Sequence, residues 1–111
     1  MTDLKTNLKF GWNEQNTTHL ARHQISPSEA EQVILNRPLD IGTELRNGEE
    51  RIAQVGETDL GRILIVVSTT LADGKIRIVT AWPANERLRR YFKSLKESGN
   101  AGRIEEKDIR E

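Results

Sequence analysis

Apolar residues alternate at Leu8, Phe10 and Trp12, which predicts a short first strand. Asn13 has the short polar side chain of a helix N-cap, and a helix to about Arg22 is expected after it. Ser26-Pro27-Ser28-Glu29 announces a second helix, over residues 26–36. Its serine caps, its proline occupies the first turn without losing a needed donor, and Glu29 closes a capping box. Ala30, Val33 and Ile34 supply the buried stripe, and Arg37-Pro38 ends the helix because the residue before proline is pushed out of the helical region. From Leu39 the period becomes two, which puts Leu39, Ile41, Thr43 and Leu45 on one face. Asn47-Gly48 supplies the positive φ of a tight turn, so residues 40–45 and 51–55 are predicted to form an antiparallel hairpin. Residues 63–69 are β-branched and apolar on both faces, the pattern of a strand buried on both sides. Asp73-Gly74 turns into a further strand over 75–82, with Ile76, Ile78, Thr80 and Trp82 expected on one face and Arg77, Val79 and Ala81 on the other. Pro83 stops that strand. Asn85 caps a last helix to Lys96, in which Leu88, Tyr91, Phe92 and Leu95 recur at helical spacing while Arg89, Arg90, Lys93 and Lys96 fall on the opposite side. The predicted class is α+β: an antiparallel sheet of about four strands, two N-terminal helices and one C-terminal helix.

With 111 residues the chain suits one domain, expected over 1–97, followed by a charged and flexible tail over 98–111 that carries few apolar residues. There is no cysteine, hence no disulfide framework and no thiolate metal site. The N-terminus lacks the apolar core of a signal peptide, and the longest apolar run, 63–67, is far short of a membrane span. A cytoplasmic protein without membrane contact is expected. Basic and acidic residues both total 17, but they are unevenly placed. Residues 26–60 hold eight acidic side chains against three arginines, whereas residues 75–96 hold seven basic ones against Glu86 alone. Such a dipole suits a polyanion on one side, and equally suits an oligomer interface or a protein partner.

No phosphate-cradling loop and no calcium loop is present. His19 and His23 stand four apart, as zinc ligands do, but Leu20 follows the first histidine where a metalloprotease needs glutamate, so no metal site is expected. Arg51, Arg62 and Arg77 come from three successive strands, and Arg22 and His23 from the first helix. A metal-free ribonuclease needs a group to deprotonate the 2′-OH, cations to stabilise the phosphorane, and an acid for the leaving oxygen. His23 is a natural candidate for proton transfer, since imidazole titrates near neutrality. Alternatively, the arginines pair with Glu49, Glu50 or Glu57 as ordinary strand-surface charges, and His23 sits favourably at a helix C-terminus. The Arg89, Arg90 and Lys93 face either binds an anionic partner or is solvated surface, and Trp82 is either core or a stacking platform.

Phe10-Gly11-Trp12-Asn13, Arg22-His23 followed by Ile25-Ser26, Glu29-Ala30, Glu50-Arg51 leading to Val55-Gly56, Gly61-Arg62, and Ile76-Arg77-Ile78 leading to Ala81-Trp82-Pro83-Ala84 occur in an order and spacing that resemble the BrnT family of bacterial toxins. The resemblance runs from about Leu8 to Phe92. It implies a RelE-like fold, a metal-independent endoribonuclease that needs no cofactor and arrests growth, and a BrnA-like antitoxin with a ribbon-helix-helix domain. It also implies a homodimer within a toxin–antitoxin heterotetramer that reaches DNA only through the antitoxin. The matched site positions are Arg22, His23, Arg51, Arg62 and Arg77. Asn13 stands where the family usually has aspartate, Asn16 where it has lysine, His19 where it has asparagine, Gln24 where it has glycine, and Trp82 where it has arginine. With two usual cations replaced, the alternative is a toxin-fold protein that binds or regulates while its catalysis is weakened or lost.

Overall fold

Each helix begins where a side chain satisfies its otherwise unpaired amides. The computed structural model describes residues 8–98 and residue 109, the side chains of 97 and 98 excepted. Its elements are β1 (Phe10–Gly11), α1 (Glu14–Arg22), α2 (Pro27–Leu35), β2 (Leu39–Arg46), β3 (Glu49–Glu57), β4 (Ile63–Thr70), β5 (Ile76–Pro83) and α3 (Glu86–Ser98). Asn13 and Asn16 cap α1 reciprocally, each carboxamide oxygen accepting the other's backbone N–H, at 3.0 and 2.8 Å. Ser26 and Glu29 do the same for α2, at 3.1 and 3.0 Å, and Asn85 Oδ1 accepts the Leu88 N–H at 2.8 Å to start α3.

The strands form one sheet in the order β1-β5-β4-β3-β2. β2 to β5 are antiparallel neighbours, joined between β2 and β3 by Asn47-Gly48 with φ of 54° and 76°. The sheet has five strands and is mixed, where about four antiparallel strands were expected. β1 contributes only two residues, because the cap at Asn13 cuts the alternation short, and it lies parallel to β5 with Phe10 opposite Ile76. No tight hairpin joins these two strands, so nothing local forces them to be antiparallel.

Each face of the sheet carries its own core. On one side α1 and α2 bury Leu20, Ile25, Ala30 and Val33 against Leu64, Val66, Ile78 and Ala81. On the other, Leu88 and Phe92 of α3 pack with Val55, Ile63 and Ile65, and Trp82 and Tyr91 lean on that cluster. β4 therefore has apolar residues in both directions, as its sequence predicts. At Gly56 an added Cβ would lie 2.9 Å from Val33 Cγ1 and 3.0 Å from Pro38 Cβ, so α2 and its exit press directly on β3.

Two bulges alter the face assignments read from alternation. The β4–β5 register passes from Val67 opposite Thr80 to Ser68 opposite Ile78, leaving Val79 as an extra residue. Ile76 and Ile78 thus share the α1/α2 side with Ala81, while Trp82 moves to the side of Arg77. A similar shift at Ile41 takes Leu45 out of the expected face, and it is 74% exposed. No described helix is long and apolar enough to cross a membrane. The segment expected as a flexible tail lies outside the described residues apart from the Ser98 backbone and Ile109.

Candidate functional site

The α3 helix covers only the part of its sheet face near Val55, Ile63 and Ile65. On the rest of that face, Arg51 of β3 and Arg77 of β5 reach toward each other across β4 and meet on one carboxylate. Glu49 Oε1 accepts from Arg77 Nη2 at 2.6 Å and from Arg51 Nε at 3.1 Å. All three side chains are a fifth to a third exposed, so the group is partly desolvated. Two guanidinium groups on one carboxylate leave a surplus positive charge, and Arg77 Nε is buried without a hydrogen-bond partner. Arg51 and Arg77 are thus paired with a carboxylate, as the strand-surface reading expects, and drawn together by it.

Two depressions meet at Arg51. A groove of about 420 Å³ is lined by Gly42, Thr43, Glu44, Arg51, Ala53, Val67 and Trp82, with Ile109 at its border. A cleft of about 140 Å³ is lined by Asn13, Gln15, Asn16, His19, Arg51, Arg77, Ile78 and Val79. Trp82 reaches the groove because of the extra residue at Val79. It is both core and surface, half-buried against the α3 cluster, and its Nε1 is buried without a partner. Arg22 lies along the outer side of α1 in a shallow hollow shared with Thr18 and His19.

His23 and Arg62 belong to a different place. Arg62 Nη1 donates to the Gln24 carbonyl at 2.8 Å and to the Glu29 carboxylate at 3.1 Å, and its Nη2 donates to the His23 carbonyl at 3.4 Å. It pins the turn between α1 and α2, where Gln24 has φ of 58°. The Ser26 N–H, and after it the Arg62 guanidinium, hold the Glu29 carboxyl below its ordinary pKa against the opposing effect of burial. Arg62 precedes Thr69, the β4 residue opposite Arg77, by seven positions, about 23 Å along an extended chain. The structure does not bring Arg62 and His23 to the Arg51–Glu49–Arg77 group, whereas it does bring His19. The sequence signal for His19 was its position three residues after Asn16, on the same helical face.

On α3 the basic side chains are partly engaged. Arg89 Nη1 donates to the Ala84 carbonyl at 2.8 Å, and Arg90 pairs with Glu86 at 3.0 Å in an exposed i, i+4 bridge. Lys93 is exposed, and the Lys96 ammonium lies 5.1 Å from the Phe92 ring centre.

A sequence model described as the ribonuclease toxin BrnT of type II toxin–antitoxin systems matches residues 12–87. The chain belongs to the BrnT family. The matched stretch begins at Trp12 and ends inside α3, so it takes in both depressions except for Ile109. BrnT membership carries with it a ribonuclease toxin, an RNA substrate and an antitoxin partner. No curated protein matches the chain.

Proposed function

We propose that this BrnT-family chain is a metal-independent endoribonuclease toxin that takes RNA on the open sheet face beside α3. The observation that carries this reading is the pair of guanidinium groups, from separate strands, sharing one carboxylate oxygen beside two depressions. A phosphate could replace Glu49 as their common acceptor, and bidentate guanidinium donors suit its oxygens. Arg51 and Arg77 then stabilise the charge that develops on the scissile phosphate, a task that needs fixed cations and no metal ion. Trp82 offers an indole edge in the adjoining groove. The Arg89, Arg90 and Lys93 face and Arg22 extend the positive rim. A BrnA-like antitoxin with a ribbon-helix-helix domain neutralises the toxin by covering this face, in a heterotetramer built on a toxin dimer. DNA is touched only by the antitoxin, and the toxin acts in the cytoplasm.

The test is cleavage of RNA by purified protein with EDTA present. Arg51→Ala and Arg77→Ala should each lower kcat/KM by about a hundred- to a thousandfold, the loss seen when one donor to a developing oxyanion is removed. Undiminished cleavage in both variants would remove these residues from the site. A second reading, a binding or regulatory protein without cleavage, is favoured by Trp82, which puts an indole where the family usually has arginine. Growth arrest on induction separates the two, because only the first predicts it.

A further inference from the structure

His19 is not used by any role assigned so far. It stands on α1 with its ring half-buried, and it lines the same 140 Å³ cleft as Arg51 and Arg77. Its Nδ1 lies 3.4 Å from the Val79 carbonyl oxygen, on the extra residue of the β5 bulge. A carbonyl only accepts, so this contact requires the proton on Nδ1 and leaves the lone pair on Nε2. No other described residue bonds to the ring. A half-exposed imidazole with one nitrogen tethered by backbone and the other unoccupied, at the mouth of a doubly cationic cleft, has the arrangement of a general base whose tautomer is fixed by its rear hydrogen bond.

We propose that His19 is the catalytic base of RNA cleavage in this protein, a step that rests on the ribonuclease reading above. Nε2 takes the proton of the ribose 2′-OH as O2′ forms a bond to phosphorus. The P–O5′ bond breaks, its electron pair leaves with O5′, and O5′ takes a proton from water. The products are a 2′,3′-cyclic phosphate and a 5′-hydroxyl, and His19 later loses its proton to solvent. Arg51 and Arg77 hold the phosphate on the opposite side of the cleft. The bulge therefore has two outputs, since its carbonyl orients the base and its extra residue brings Trp82 to the face that binds RNA.

Two variants test this together with the unmodified chain. His19→Ala should lower kcat about a hundred- to ten-thousandfold, the range for a general base. His19→Gln keeps a polar side chain of similar size but cannot take up a proton, so it should match the melting temperature of the unmodified chain without its rate. In the unmodified chain kcat should fall on the acid side of its pH profile as the base becomes protonated, and this acid limb should vanish in the Gln variant. The charged groups sharing the two hollows with His19 are Glu14 and Arg22 of α1, Arg51 of β3 and Arg77 of β5. Cleavage restored by His19→Gln, or lost in His23→Ala and kept in His19→Ala, would overturn the assignment to His19 while leaving the ribonuclease reading intact. Absence of any cleavage by the unmodified chain would overturn both.

Discussion

Trp82 concentrates the conflict between packing and chemistry at a single residue. Its ring rests on the α3 cluster, its edge lines the groove, and its N–H is buried without an acceptor. An orphaned buried donor costs about 1–3 kcal/mol. Trp82→Phe removes that donor along with some apolar area, so the two effects should nearly cancel, and a denaturant midpoint within about 1 kcal/mol of the unmodified protein is expected. Trp82→Arg should instead lower the melting temperature, because a cation would be drawn toward the Ile65 and Phe92 side, and should raise RNA cleavage because a third guanidinium joins Arg51 and Arg77. A fall in both quantities would show that the indole is needed at the site as it stands. The charged residues explain why the site was only half legible in sequence. Arg51, Arg62 and Arg77 look alike as letters on neighbouring strands, yet Glu49 gathers two of them and Glu29 with two backbone carbonyls takes the third. Asn16 is a further case: as the partner in the α1 capping box its oxygen accepts the Asn13 N–H, which a lysine could not do.

At the scale of elements, the local signals were the readable ones. Caps at Asn13, Ser26 and Asn85, the Asn47-Gly48 turn and the doubly apolar β4 all depend on residues within a few positions of one another, and all are present. The bulges at Ile41 and Val79 depend on how many residues each partner strand offers, which no single strand reveals. β1 also escaped a full reading, since a two-residue parallel pairing is decided by its distant partner. The α2 cap gives a test at this scale. Ser26→Ala should cost about 1 kcal/mol of stability. Glu29→Gln should cost most at neutral pH and less in acid. The folded Glu29 pKa lies below its unfolded value, so its contribution is full above the unfolded value and is lost as pH falls through the folded one. Chemical denaturation of both proteins at neutral and acid pH should therefore show the stability gap closing in acid. A gap that widened would mean that Glu29 favours the fold through its neutral form.

Across the whole molecule, balanced totals conceal a division of labour: the acid-rich stretch 26–60 builds α2, β2 and β3, and the base-rich stretch 75–96 builds β5 and α3. Joint replacement of Arg89, Arg90 and Lys93 by alanine should weaken RNA binding and flatten the plot of log affinity against log salt by about 2, at roughly 0.7 for each phosphate neutralised on a single strand. An unchanged slope would identify the face as solvated surface. The same view gives the extra residue in β5 a meaning for tolerance to change. The Val79 group that meets His19 is its backbone carbonyl, so a substituted side chain there leaves that tether in place. Deleting the residue would keep both sides as they are, because Ile78 would then adjoin Thr80 and plain alternation places Ile78 with Ala81 and Thr80 with Trp82. Trp82 would stay beside the groove and Ala81 beneath α1 and α2, where it fits with no exposure, but the carbonyl that holds His19 would be gone. The gene for this protein is thus forgiving of spelling at codon 79, and even a lost letter-triplet there should spare the fold while it removes the tether of His19.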